Sequence, residues 1–512
     1  MPSLLCLDLG TSAAKAALLD LDGAVHGRAS CTYSIRTDPG GTAEQDPQDW
    51  LHAARVAITD LLRDHPTPGG LLALGLTGQM QDLVLLPETE PTPPAILYSD
   101  TRAVQDAEEI HDWLRQEGIS WEEVTGNLQD ATSCAAMFRR LTRTAPELVG
   151  RARAVVFGPA GHLARALGCG NWCDPTTAAA TGLLDARTGA WSAPVARAAG
   201  LEEEQLPALI TATGQVVGLT GTSAQELLGL PPGLPIVLAP GDAGATTLGI
   251  IGLEVGDDYA YLGTSGWIAD VTPREGAEDG PVGATQSRAA HRLALASGGD
   301  HERDLRISAL LAAGAAADWA RAALLDGASP AVADAQLAAR EAREGRGPTG
   351  LLALPSILGE RYPVRDAELR AAIIGMGPHT RGIDMYAAVL EGVAQALAQA
   401  AGASAPAPEA VGEAPSPLAV TGGGAASEPW LRILADVTGR AVRAIDGTDA
   451  ALVGCAIAAA DALGLDHRIH PLASRPGGLT VAPDPSAARA HAALRAPHRA
   501  LYTAVAEVRA LG

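Results

Sequence analysis

The sequence predicts an α/β protein made of two related layered domains that face each other. Three observations carry this expectation. Apolar strand-like runs mix with helical segments through the first half. The chain opens as an antiparallel meander. The tetrapeptide LGTS occurs at 9–12 and again at 262–265, each time ending an apolar strand and each time in a hairpin context.

In sequence order, LLCLDLG (4–10) reads as a buried strand that ends in a tight Gly/Thr/Ser turn. A second apolar run, AKAALLDL, leads to Asp22-Gly23, a strong hairpin signal, and a third extended segment starts at Ala24. Further strands are expected at 71–79, 82–86 and 95–99, with helices at 48–64 and 103–116. The Gly-rich stretch APGDAGATTLGIIG interrupts this pattern, and a new strand pair, DDYAYLGTSGWIADV, follows. The expected halves are 1–246 and 247–512, with a domain-closing hinge near 245–255. The Ala/Pro-rich run 401–417 reads as an exposed connection.

Composition narrows the partners. The 512 residues carry a formal charge of −22, which argues against nucleic acid, so an anionic ligand must be held locally by amides and chosen side chains. No apolar run is long enough to predict a membrane span. The scattered cysteines (Cys6, Cys31, Cys134, Cys169, Cys173, Cys455) read as reduced thiols, and no second Cys/His pair near Cys169 and Cys173 supports zinc. With no basic leader at its start, the protein is expected to be cytoplasmic, with a homodimer as the assembly to test.

The turns carry the chemistry. Two strand-end loops of small residues with Thr and Ser can each offer backbone N–H groups and hydroxyls to a phosphate. A P-loop or a dinucleotide fingerprint would need a different glycine spacing and a following helix, and both are absent. Lys15, the single lysine of the sequence, follows the first turn, where a compact ammonium suits a phosphate oxygen better than a planar guanidinium. Asp8 precedes that turn, and a carboxylate beside a phosphate cradle suits Mg²⁺.

LCLDLGTSAAKAALLDLDG, LAPGDAGATTLG and YLGTSGW resemble the phosphate-1, catalytic and phosphate-2 segments of the FGGY carbohydrate kinases, within the actin/Hsp70/sugar-kinase superfamily. EQDPQDW (44–50), GLTGQMQDLVLL (75–86), YSDTR (98–102) and VTGNL (124–128) are similar to the N-terminal half of xylulokinases. LPSILGERYPVRDAELRAAIIGM (354–376), AAVLEGVAQAL (387–397) and VTGGGAASEPWLRILADVTGR (420–440) are similar to the C-terminal half. The resemblance implies two ribonuclease-H-like (actin-like ATPase) domains flanking a deep cleft, and phosphorylation of a small sugar, D-xylulose first, by ATP with Mg²⁺. It implies Asp242 as the base that takes the sugar hydroxyl's proton, and Asp8 with Asp242 near the metal. It implies Gly10, Thr11, Ser12, Lys15, Gly263, Thr264 and Ser265 at the phosphates, and Gly422, Gly423, Gly424 and Ser427 at the adenosine. Gln79, Met80, Gln81, Asp100 and Arg102, together with Asp242, are the implied sugar contacts.

Around the sugar segments the sequence departs from the xylulokinase pattern. Gln81 and Asp82 follow GQM where a His is common, and YSDTR replaces WNDGR. Ala243 replaces the Asn after the implied base, and PAGHL (159–163) replaces PKDYL. Another ketose, a polyol or an aldonate such as gluconate therefore stays open, the last with Arg102 as the obvious cation for its carboxylate. A nucleotide-binding interaction protein and an inactive sensor are the rival readings.

Overall fold

The run LLCLDLG forms the central strand β1 (Ser3–Leu9), and the meander continues through β2 (Ala13–Leu19) and β3 (Val25–Thr32). The pairs β1/β2 and β2/β3 are both antiparallel. The computed structural model describes residues 2–67, 69–88, 91–274, 290–296, 303–401 and 416–511. The predicted connection at 401–417 lies almost wholly outside them.

A short strand, β4 (Ala43–Gln45), leads into helix α1 (Pro47–Asp64), whose N-cap Asp46 accepts a bond from the Gln48 amide. Strand β5 (Leu71–Gly78) pairs parallel with β1, and β6 (Gln215–Leu219) and β7 (Pro235–Leu238) complete the sheet. Its strand order is β6-β7-β5-β1-β2-β3. The stretch expected at 95–99 is a strand only over Ala95–Ile96, whereas the helix expected at 103–116 runs Val104–Gln116.

The Gly-rich stretch expected to interrupt the pattern instead folds as helix α2 (Asp242–Ile250). Position 246, the expected boundary, lies inside it. The second half begins with β8 (Asp258–Leu262) and β9 (Gly266–Pro273), an antiparallel hairpin turning at the second LGTS. It adds β10 (His291–Leu295), β11 (Arg303–Leu310), helix α3 (Gly314–Leu324), β12 (Leu418–Thr421), helix α4 (Glu428–Thr438) and β13 (Val442–Ala444). Helix α5 (Ala450–Ala462) and β14 (Thr480–Val481) close the set that positions the site. The order of this sheet is β10-β11-β9-β8-β12-β13-β14.

The two sheets match strand for strand. From β6 to β3 in one, and from β14 to β11 in the other, neighbours pair in the same sequence of senses: antiparallel, parallel, parallel, antiparallel, antiparallel. The pairing thus repeats what LGTS announces, and β10 is the addition to the second copy.

Period-two alternation distributes the side chains into layers. In β1, Leu5, Leu7 and Leu9 enter an outer core with Ala54, Ile58 and Leu61 of α1, while Leu4 and Cys6 enter a central core. In β8, Tyr259 enters that same central core, while Ala260 and Leu262 face a second outer core with Leu431 and Leu434 of α4. Helices α2 and α5 fill the central layer between the sheets. They cross so closely that a Cβ on Gly249 would strike the Ala450 carbonyl, and one on Gly454 would strike the Ala245 carbonyl. No helix among the described residues is long and apolar enough to cross a membrane.

Candidate active site

Asp242 occupies the first position of α2, after the extended cap Gly241, where a negative charge meets the positive end of the helix. Three contacts fix this approach. Asp174 accepts from the Gly241 amide at 2.9 Å and from the Thr177 amide at 3.0 Å, so one buried carboxylate caps a neighbouring helix and steers α2. The Thr77 hydroxyl donates to the Pro240 carbonyl at 2.6 Å. Met80 lies so near Gly241 that a side chain there would collide with it.

Asp8 sits at the end of β1, on the face toward the central layer, with Lys15 directly opposite on β2. Its Oδ1 is buried without a hydrogen-bond partner. Burial pushes the Asp8 carboxyl up to about 6, against the pull of the Lys15 ammonium. Burial, joined by the charges of Asp8 and Asp174, pushes Asp242 up to about 7. The two carboxyls therefore feel one another in a poorly hydrated place, and each holds a proton where an isolated carboxyl would not.

Both LGTS turns are anchored in one manner. In the first, the Gly10 carbonyl accepts from the Tyr33 hydroxyl, the Thr11 carbonyl from Gln45 Nε2 at 2.8 Å, and the Ser12 carbonyl from the Tyr33 amide at 3.1 Å. In the second, the Gly263 carbonyl accepts from the Gly314 amide at 2.7 Å and the Ser265 carbonyl from the Gly263 amide at 3.0 Å. The Thr264 carbonyl accepts from the Ala313 and Ala315 amides, both at 3.0 Å. Every carbonyl of both triplets thus has a donor, from outside the turn for all but Ser265, whose donor is Gly263 within it, and this engages the oxygens that would repel an anion.

The glycine triplet stands beside the second turn. Gly422 has φ +92°, and a Cβ there would lie 2.6 Å from the Leu262 carbonyl, so only glycine fits. Gly424 abuts Leu262 and Trp430. Gly423 has open space around its missing Cβ, which leaves room for a ligand at that point. Ser427 caps α4, accepting from the Trp430 amide at 3.3 Å, and donates its hydroxyl to Asp334 at 2.7 Å. Its side chain already has a structural task.

In the segments expected to meet the sugar, Gln79 donates to Gln45 at 2.9 Å while its Oε1 is buried and unpartnered. Gln81 adopts φ +64°, a left-handed conformation that costs a side chain energy, and its Nε2 reaches the Thr132 carbonyl at 2.7 Å. Asp100 and Arg102 are brought together as an ion pair. Asp100 accepts from the Ala43 amide at 2.9 Å and from Arg102 Nε at 2.9 Å, and Arg102 also donates to Glu44 at 2.6 Å. Arg102 is thereby committed to two carboxylates.

Four residues of this site escape sequence reasoning. Gln45 lies in the EQDPQDW segment, which carries the signal without the role. Asp82 stands out in sequence only as a departure from the family pattern. In the fold it is fully buried, accepts from the Tyr98 amide at 3.2 Å, and has Oδ2 unpartnered. Burial and then the nearby Asp242 charge push its carboxyl well up. Tyr33 gives no local signal, because its partner Gly10 lies far off in sequence, and Asp174 reads locally only as a helix cap, since its second partner, Gly241, is also remote.

The comparisons with known proteins agree with this layout. Residues 3–249 match the N-terminal domain, and 293–463 the C-terminal domain, of the FGGY family of carbohydrate kinases. The chain is 30% identical over 457 residues to the xylulose kinase of Escherichia coli K12, covering 89% of this chain and 88% of that one. It is also 30% identical to the glycerol kinase of Thermus brockianus, covering 89% of each. The solved xylulose kinase of Rhodospirillum rubrum superposes with a TM-score of 0.84 at 26% identity, over 99% of both chains. With both domain types present in order, and relatives aligned over most of its length, the chain belongs to the FGGY family of carbohydrate kinases.

Proposed function

We propose that this protein transfers the terminal phosphoryl group of ATP to a terminal hydroxyl of a small sugar, with D-xylulose the leading substrate. The observation that carries the reading is the pair of LGTS turns with every carbonyl hydrogen-bonded within the protein, flanking the layer in which Asp242 and Asp8 sit together. In this reading Asp242 takes the proton of the sugar hydroxyl, whose oxygen attacks the γ-phosphorus, and ADP leaves. A carboxyl pushed up to about 7 suits that task, because a base works best when its pKa lies near the working pH.

The Thr and Ser amides and hydroxyls of both turns orient the phosphates, with Lys15 as an added point charge. Gly422, Gly423 and Gly424 accommodate the adenosine. Asp8 and Asp242 fit a divalent cation: two neighbouring carboxyls, one with an unpartnered oxygen, both raised by burial and Asp242 also by the charge of Asp8. Bound there, Mg²⁺ would supply neutralisation of phosphate charge. Gln79, Met80, Gln81, Asp100, Arg102 and Asp242 line or frame the sugar pocket.

A neutral ketose is favoured over an aldonate, because Arg102 is already paired with Asp100 and Glu44. A polyol is the second reading, supported by the glycerol kinase relative and by Gln81-Asp82 in the pocket segment. A coupled ATP-consumption assay over ketopentoses, ketohexoses, glycerol, other polyols and gluconate tests this. D-xylulose should give the highest kcat/KM; turnover of none of them would overturn the kinase reading.

A further inference from the structure

Between the sugar segment and the first phosphate turn lies a series of buried amides whose orientation is forced. The Trp50 indole N–H, which can only donate, reaches Gln45 Oε1 at 2.9 Å. Gln45 must therefore present its oxygen to Trp50, and its Nε2 then faces the Thr11 carbonyl at 2.8 Å. The same Gln45 oxygen accepts from Gln79 Nε2 at 2.9 Å. Gln79 in turn has to expose its own oxygen, and that Oε1 is the buried atom without a partner. All three side chains are essentially inaccessible to solvent: Trp50 0%, Gln45 3%, Gln79 2%. A second tie runs in parallel, since the Gln79 amide donates to the Leu9 carbonyl at 2.9 Å.

We propose that Gln45 is a positioning residue that couples the two subsites, fixing Gln79 as a hydrogen-bond acceptor for a substrate hydroxyl while holding the Thr11 carbonyl away from the phosphate. The inference rests on the kinase reading above. A hydroxyl that donates to Gln79 Oε1 polarises the amide series and firms the bond from Gln45 to Thr11, so the turn is better set for phosphate. Because coupling between binding sites is reciprocal, bound nucleotide favours the sugar by the same factor. Gln45 needs no contact with either ligand.

The test compares the native protein with Gln45→Met, Gln79→Met and the double variant. Hydrogen exchange at residues 10–14 is followed without ligand, and Mg·ADP affinity is measured by calorimetry with and without D-xylulose. For the native protein, added D-xylulose should tighten Mg·ADP binding about 5-fold or more. Gln45→Met should speed exchange at 10–14, weaken Mg·ADP binding and abolish the enhancement. Gln79→Met should lose the enhancement yet keep native exchange at the turn, and the double variant should lose no more enhancement than either single one. Native exchange at 10–14 in Gln45→Met, or enhancement that survives in it, overturns the proposal. So does a native protein that phosphorylates D-xylulose without any enhancement. If Gln45→Met does not fold, Gln45→Glu serves: it still accepts from Trp50 and Gln79 but sets a carboxylate against the Thr11 carbonyl. If D-xylulose is neither bound nor phosphorylated, the substrate assignment fails, whereas the ligand-free exchange still decides whether Gln45 holds the turn.

Discussion

At Asp242 two demands meet, and they pull in opposite directions. If Asp242 is the base proposed above, its carboxylate must be dry enough for its pKa to approach the working pH, yet open enough to touch an alcohol. Burial and the Asp8 charge meet the first demand, and the helix end at Gly241 meets the second. Asp242→Asn should lower turnover ~10²–10⁴-fold while Mg·ATP still binds, as steady-state rates and calorimetry would show. A stability signature accompanies it. The folded pKa of about 7 lies above the ordinary 3.8, so the folded state binds the extra proton. The stability this carboxyl contributes is full below about pH 3.8 and is lost as pH rises through about 7. The ligand-free Asn variant should therefore gain on the native protein in Tm between pH 5 and pH 8, and a constant difference would contradict the burial described for Asp242. Asp8 and Asp242, which motifs single out in the sequence, are brought close enough by the fold for the charge of one to raise the other. Asp82 and Gln45 are not legible in this way, because their roles depend on burial and on partners brought close only by folding.

Elements show the same division. The meander and the β8/β9 hairpin follow from local alternation and turn residues, and both stand where the sequence predicts them. Helix α2 does not, because its glycines look like loop punctuation. Gly249 lets α2 approach α5 and Gly244 leaves room for Pro240 and Thr176, and these tertiary contacts outweigh the low helix propensity of glycine. Gly249→Ala and Gly454→Ala each push a methyl into a main-chain carbonyl of the opposite helix. Each should destabilise the protein by about 1–3 kcal/mol or more, by comparable amounts, in denaturant unfolding. If either is neutral, the close crossing is not what these glycines serve.

For the molecule as a whole, the central core decides how the halves behave. Leu4 and Cys6 of the first half share it with Tyr259, Val453 and Ile457 of the second. Neither half can keep that layer dry alone. Calorimetry of the ligand-free protein should show one dominant unfolding transition, and two well-separated ones would mean the halves fold independently. The paired-domain plan is readable from four repeated letters because both copies end a central strand on the same hairpin turn. The shared layer is not readable, since α5 reaches β1 from the far end of the sequence.

The crossing of α2 and α5 joins main chain to main chain, with no side chain between that a second mutation might trim. An added methyl at either glycine has no remedy in its neighbours. Where side chains separate the two halves, a change on one side can be met by a change on the other; at this crossing it cannot.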